Sequence, residues 1–331
     1  MTGCGRGESR ARTPYIKAGS AGQDETVSEK RRMRRRASAR AERRHRLLSF
    51  AAAVVGASIL FYPGAAMWFS DYNQATSLET YAQIVDALPD EARTAAREAA
   101  EAYNAALPRG PLRDPFASRG SSGRSSDDYP DLLRMPGSDV MARVTIPSID
   151  VSLPVYHGVG DDALDRGIGH LPGSSLPVGG PGTHAVLSAH SGLTTAVMLT
   201  DLEKVRVGDR FQVNLLGEDL TYEVDDISVV RPDESDVLRI EDGKDYVTLL
   251  TCTPTNVNTH RLLVRGVRVP DAPTPQLSQR DDARVVASFP WWAVGYLAVL
   301  GVSAALTLVP FRKGRHRRQR ESLRKSESRP T

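Results

Sequence analysis

Cys252, Arg261 and His190 carry the three side-chain types that thiol chemistry needs: a nucleophile, a fixed cation and a proton carrier. A cysteine nucleophile needs a route to thiolate, a proton donor for the leaving group and something to hold a developing oxyanion. An arginine can fill the last role or lower the thiol pKa, and histidine suits the proton transfer near neutral pH. Of the seven histidines, His45 and His316 lie in basic terminal segments, and His260 alternates away from Arg261. His157, His170, His184 and His190 remain. His190 is preferred because it ends the apolar run Ala185 to Ala189 and opens into Ser191-Gly192, a strand-to-loop position where functional groups are often mounted. His184 opens the same run and His170 lies in a glycine-rich segment, so both stay open as alternatives. A buried structural cysteine beside a surface arginine would fit the same residues. Metal chemistry is disfavoured, because neither HExxH nor paired CxxC spacing is present, and no cofactor is expected.

The elements that must position these groups are β-strands. Tyr246 to Thr251 reads as one strand delivering Cys252, a polar loop with Pro254 follows, and a return strand begins at Arg261. Period-two alternation places Thr248, Leu250 and Cys252 on one face of the first strand, and Arg261, Leu263 and Arg265 on one face of the second. Thiol and guanidinium can therefore meet across neighbouring strands. Further strands are expected at Val140 to Ile146, Val151 to Tyr156, His184 to Ala189, Arg210 to Leu216, Thr221 to Val230 and Leu262 to Val269. Their spacing points to a mainly β sandwich or barrel of about 130 residues. Gly167 to Gly182 contains a GxG, but no helix-forming run follows and prolines interrupt it, so a dinucleotide site is rejected.

Charge divides the remaining chain. Residues 1–46 carry 14 Lys/Arg against 5 Asp/Glu, residues 312–331 carry 9 against 2, and the middle carries 20 against 33. An acidic middle excludes a nucleic-acid partner despite the pI near 8.9. Two apolar runs, 47–69 and 289–311, are each long enough to cross a hydrocarbon core of about 30 Å and carry interfacial Trp residues. The basic segments outside them predict two transmembrane helices with both termini cytoplasmic, and residues 70–288 outside, at the cell membrane. Cys4 and Cys252 would then lie on opposite sides of the membrane, leaving Cys252 a solitary exported thiol. Residues 1–46 and 312–331 read as basic cytoplasmic tails, the first disordered. Ser77 to Leu88 and Asp90 to Leu107 read as two helices divided at Pro89 within an extracytoplasmic helical segment, 70–107. Residues 108–137 form a long Pro/Gly/Ser-rich loop, 138–270 the β-domain and 271–288 a polar linker.

TLLTC with Arg261 nine positions later, THAVLSAH, GHLPGSSLPVGG, and VTLLTCTPTNVNTHRLLVRG together resemble the sortase family, and within it the class C, pilus-assembling sortases of Gram-positive bacteria. The resemblance covers residues 140–270 densely, and the second C-terminal span suits class C as well. It implies a closed sortase-type β-barrel with short helices, preceded by N-terminal helices and a lid loop. It further implies Cys252 as nucleophile, His190 as general acid/base and Arg261 as substrate or oxyanion stabiliser. Asp114 and Phe116 fall where class C members carry a lid motif. One departure is His190-Ser191-Gly192, where the family often has His-Arg-Gly; it touches a peripheral contact and not the chemistry.

What the resemblance implies for activity is transpeptidation. Cys252 would attack the Thr carbonyl of an LPxTG-like sorting signal, and an amine would resolve the thioacyl enzyme. The expected partners are pilin subunits carrying the signal and an acceptor lysine, with a cell-wall precursor peptide as the alternative amine. Two competing functions are a housekeeping-type sortase that anchors proteins to the cell wall, and a non-enzymatic membrane-tethered β-domain adaptor.

Overall fold

The computed structural model describes residues 21–108, 110, 129–193, 195–234, 236–255, 257–270 and 289–308. In chain order the strands are β1 (Val140–Ile146), β2 (Val151–His157), β3 (Ile168–His170), β4 (Thr183–Ser188), β5 (Arg210–Leu215), β6 (Glu218–Val230), β7 (Asp245–Thr253) and β8 (His260–Arg268). They close into one barrel in the order β1-β2-β3-β4-β7-β8-β6-β5, which leaves no sheet edge unpaired. Two neighbouring pairs are parallel, β2 with β3 and β4 with β7. Seven strands lie where alternation placed them, with ends shifted by at most three residues.

The eighth, β3, was not anticipated. Three residues carry too little periodicity to read, and the strand exists because β2 and β4 flank it. Its glycines serve close passage of the chain. A Cβ at Gly167 would come within 2.5 Å of the Pro154 carbonyl oxygen, and one at Gly169 within 2.4 Å of the Gly158 oxygen. The GxG is thus a packing feature of β2 against β3.

Alternation also sets the core. In β5, Phe211, Val213 and Leu215 turn inward, and Phe211 stacks on Tyr222 at 5.6 Å. Strand β4 is buried along its whole length, as expected of a strand covered on both faces. Ala185, Leu187, Val247 and Leu249 enter the main core, whereas Val186 and Leu250 join Leu171, Leu238 and Leu263 in a second apolar cluster on the outer face.

Helix α1 runs from Ala21 to Asp86, through Pro63, as a single 66-residue element. Residues 21–46 are therefore helical where a disordered tail was expected, because their Arg, Ala and Glu are strong helix formers. The helix expected from Ser77 is the end of α1 and not a separate element. Pro89 separates it from α2 (Asp90–Ala106), whose first turn carries Asp90 and Glu91, where carboxylates favour the helix dipole. Among the described residues the remaining α-helices are a short α3 (Asp161–Leu164) and the apolar α4 (Trp291–Leu308). Among the described residues α1 alone is long and apolar enough to cross a membrane; α4 is apolar but shorter.

The chain forms two compact units, residues 1–60 with 294–331, and residues 61–293. Within the first, the Ser58 and Tyr296 hydroxyls lie 3.1 Å apart. Within the second, buried Tyr81 of α1 donates to the Met141 carbonyl at 3.1 Å and accepts the Leu216 N–H at 3.0 Å. Burial pushes its phenol up to about 12. Asn104 of α2 exchanges two hydrogen bonds with the Leu176 main chain, at 2.7 and 3.0 Å, while Arg97 pairs with Glu218 and donates to the Val178 carbonyl.

Candidate active site

The β7–β8 hairpin pairs Cys252 directly with Arg261. Side chains so paired in an antiparallel ladder have Cβ atoms about 4.5–5.5 Å apart, so the faces read from alternation meet as expected. On the other side of β7, the last β4 pair is Ser188 with Leu250. The contact continues beyond it: Ala189 N–H donates to the Leu250 carbonyl at 3.1 Å, Thr251 Oγ1 donates to the Ala189 carbonyl at 2.8 Å, and Ser191 Oγ donates to the Cys252 carbonyl at 2.6 Å. These bonds carry the β4–β7 contact past Ser188, so the segment of His190 lies against that of Cys252, and Cys252 in turn pairs with Arg261 on β8.

Local bonds hold the His190 and Arg261 segments. The His190 carbonyl accepts the Leu199 N–H at 3.2 Å, and Gly192 N–H donates to Thr200 Oγ1 at 3.0 Å. Arg261 is only 6% exposed; its Nη1 donates to the Asn258 and His260 carbonyls, both at 3.1 Å. Asn258 adopts a left-handed conformation (φ 60°), which asparagine tolerates better than most residues. This curls the loop under the guanidinium. Cys252 and His190 are half-buried, within reach of solvent.

The competing histidines are committed elsewhere. His170 is fully buried; its Nε2 donates to the Ser175 carbonyl at 2.8 Å and its Nδ1 accepts the Tyr129 hydroxyl at 2.8 Å. Burial pulls its pKa down to about 4. His184 is fully buried; its Nδ1 donates to the Arg239 carbonyl at 2.8 Å and its Nε2 accepts the Thr248 hydroxyl at 2.7 Å. His157 donates from Nε2 to the Leu132 carbonyl at 2.6 Å. Burial lowers the pKa of both. His260 turns to the opposite face, 3.0 Å from Thr259 Oγ1.

A groove of about 300 Å³ lies on the same outer face, lined by Val237, Leu238, Arg239, Thr248, Leu263 and Arg265 among others. Thr248, Leu263 and Arg265 lie on the same strand faces as Cys252 and Arg261, which themselves do not line the groove. Val186, Leu250, Leu263 and Leu238 give its neighbourhood an apolar floor. Arg265 is bidentate on Asp225, at 2.9 and 3.0 Å, which holds its charge at one end.

Sequence reasoning missed Ser191 and Thr251, the hydroxyls that lace the His190 segment to the Cys252 segment, and Leu238, which the groove shares with the outer cluster. The departure from His-Arg-Gly at Ser191 was the one signal that marked any of them. Asp114 and Phe116 lie outside the described residues. Among the described residues, no group of three His, Cys, Asp or Glu side chains could hold a metal ion.

A sortase-domain family model matches residues 144–269. The solved structure of sortase C-1 from Actinomyces oris is 49% identical, with a TM-score of 0.51, covering 55% of this chain and 99% of that one. The crystal structure of Streptococcus pneumoniae Sortase C, described as informing catalysis and pilin substrate specificity, is 39% identical with a TM-score of 0.54, over 59% of this chain and 97% of that one. Among curated proteins, Sortase A of Streptococcus agalactiae is 30% identical over 130 residues, 38% of this chain and 52% of that protein. The chain thus spans about half the length of this curated relative.

Proposed function

This chain belongs to the sortase family, and on that premise we propose that it is a membrane-anchored cysteine transpeptidase that joins pilin subunits. Cys252 attacks the Thr carbonyl of an LPxTG-like sorting signal, forming a thioester as the Thr–Gly bond breaks. His190 delivers the proton to the departing Gly amine, and Arg261 holds the substrate carbonyl oxygen as it gains charge. A lysine amine of the next pilin then displaces the thiolate, giving an isopeptide bond. A guanidinium beside a thiol favours the thiolate, which suits both halves of the reaction. The observation that carries this reading is the direct pairing of Cys252 with Arg261, with the His190 segment laced to the Cys252 segment by the Ser191 and Thr251 hydroxyls. The higher identity to the class C structure, 49% against 30% for the Sortase A relative, supports the pilin branch over cell-wall anchoring.

The two basic ends around the apolar runs 47–69 and 289–311 support a two-pass arrangement with the barrel outside the cell. In this arrangement 1–46 and 312–331 are the cytoplasmic tails, and the barrel of 138–270 sits between the helical segment 70–107 and the linker 271–288.

The test is to incubate the full-length protein in detergent with a candidate pilin bearing an LPxTG-like signal. Cys252-dependent, SDS-resistant ladders are expected. Cleavage of a sorting peptide without ladders, but with transfer to a cell-wall peptide amine, would favour the anchoring role. Absence of any cleavage or thiol reactivity at Cys252 would remove the enzyme reading altogether.

A further inference from the structure

Helix α1 acts as a ruler that meets the two ends of the barrel at different heights. Trp68, Phe69 and Tyr72 cluster with Trp292: Trp68 stacks on Tyr72 at 5.4 Å, and Trp68 and Phe69 lie 6.4 and 6.1 Å from Trp292. Such aromatic clusters at the end of an apolar run mark the membrane interface. Immediately beyond it, buried Gln74 donates from Nε2 to Met198 Sδ at 3.6 Å. Seven residues later, Tyr81 bonds to Met141 and Leu216. At about 1.5 Å per residue the two contacts stand about 10 Å apart along the axis.

The barrel contacts at these two heights belong to opposite ends. Leu216 follows Leu215, which pairs with Glu218 at the start of β6, while Arg261 pairs with Val230 at its finish. Met198 belongs to the Arg261 end, because neighbouring Leu199 donates to the His190 carbonyl at 3.2 Å. The end of the barrel carrying Cys252 is thus met first, next to the aromatic cluster.

The loop after His190 has a divided surface. Ala196, Met198 and Leu199 are buried at 5%, 1% and 0%, whereas Leu193 and Val197 are 36% and 44% exposed. Met198 holds the loop to α1 at Gln74, two residues past Tyr72 of the aromatic cluster, while two aliphatic side chains stay exposed.

We propose that the catalytic end of the barrel faces the bilayer and that Leu193 and Val197 rest in its headgroup region. This deepens the membrane-anchored reading and rests on it. Two aliphatic side chains add to an existing anchor without inserting a segment of their own. They orient the thiol toward peptide emerging from the same leaflet, so the site receives substrates at the lipid surface and not from bulk solution.

The experiment uses the full-length chain, with Cys4→Ser and Cys252→Ser, in vesicles of phosphatidylglycerol and phosphatidylethanolamine. Single cysteines replace Leu193, Val197 or, as a far-end control, Asp219, and each is labelled with the fluorophore NBD. Vesicle flotation is checked first. The expected result is blue-shifted emission at 193 and 197, lost when the lipids carry headgroup nitroxides, with unshifted and unquenched emission at 219. Floated protein with 193 and 197 behaving like 219 would overturn the proposal while leaving the anchor intact. Failure to float would remove the anchored reading, and the proposal with it.

Discussion

The Ser191 hydroxyl donates to the Cys252 carbonyl at 2.6 Å, and Thr251 returns a hydroxyl bond to the Ala189 carbonyl at 2.8 Å. The two bonds cross between the same pair of segments in opposite directions. Together they set the height of His190 relative to the thiol. Where the family often has arginine after the histidine, this chain has a short side chain that reaches the main chain of Cys252.

Ser191→Ala should therefore act on turnover. One hydrogen bond is worth about 1 kcal/mol, or about fivefold in rate. We expect kcat on a sorting peptide to fall by about that factor with KM unchanged, and Ser191→Thr, which keeps the hydroxyl, to recover most of it. Steady-state kinetics of both variants checks this; a change confined to KM, or failure of the threonine to recover, would count against it.

Arg261 and His190 should separate from Cys252 in kinetics. Cys252→Ala should abolish thioester formation. His190→Ala should lower turnover by about 10²–10⁴-fold, and Arg261→Lys by about 10²–10³-fold, because an ammonium lacks the planar fork. The lysine variant is preferred to alanine because it keeps a donor near the Asn258 and His260 carbonyls. Single-turnover acylation, followed by mass spectrometry, measures each effect.

Leu238 and Leu249 should behave differently on truncation, although both are nearly inaccessible. Leu249→Ala opens the main core and should cost about 2–5 kcal/mol, seen as lowered thermal stability without selective loss of substrate binding. Leu238→Ala lies in the outer cluster and lines the groove. It should cost nearer 2 kcal/mol and raise KM more than it lowers kcat. Denaturant melts paired with peptide kinetics distinguish the two.

Acid should loosen the barrel where His170 is sealed in. Its folded pKa, about 4, lies below the ordinary value near 6.5, so the unfolded chain binds the proton more readily. Its contribution is present in full above about pH 6.5, falls as pH drops, and is gone near pH 4. The displacement corresponds to about 3 kcal/mol. His157 and His184 are displaced in the same direction and add to the loss. Thermal melts between pH 7.5 and 4.5 should show the decline, and His170→Gln should make it shallower, leaving the part due to His157 and His184.

Several features of this protein were legible in the chain alone. Alternation placed Cys252 and Arg261 on meeting faces because the six residues between Thr253 and His260 join β7 directly to β8, and a short connection sets hairpin register. The stop at Pro89 and most strand limits were legible for the same reason, since each depends on neighbours in sequence. The helical state of residues 21–46 and the continuity of α1 through Pro63 were not read, because basic composition and a proline outweighed helix propensity. The remaining decisions were tertiary. β3 exists only because β2 and β4 flank it. His190 stands 62 residues before Cys252, and only closure of the barrel makes β4 the parallel neighbour of β7. That closure buries His170 and His184, leaves His190 half-buried on the segment next to Cys252, and brings the Ser191 hydroxyl onto the Cys252 carbonyl. Non-local strand pairing leaves no periodicity in the chain, so the residue types were written in the sequence and their meeting was decided by the fold.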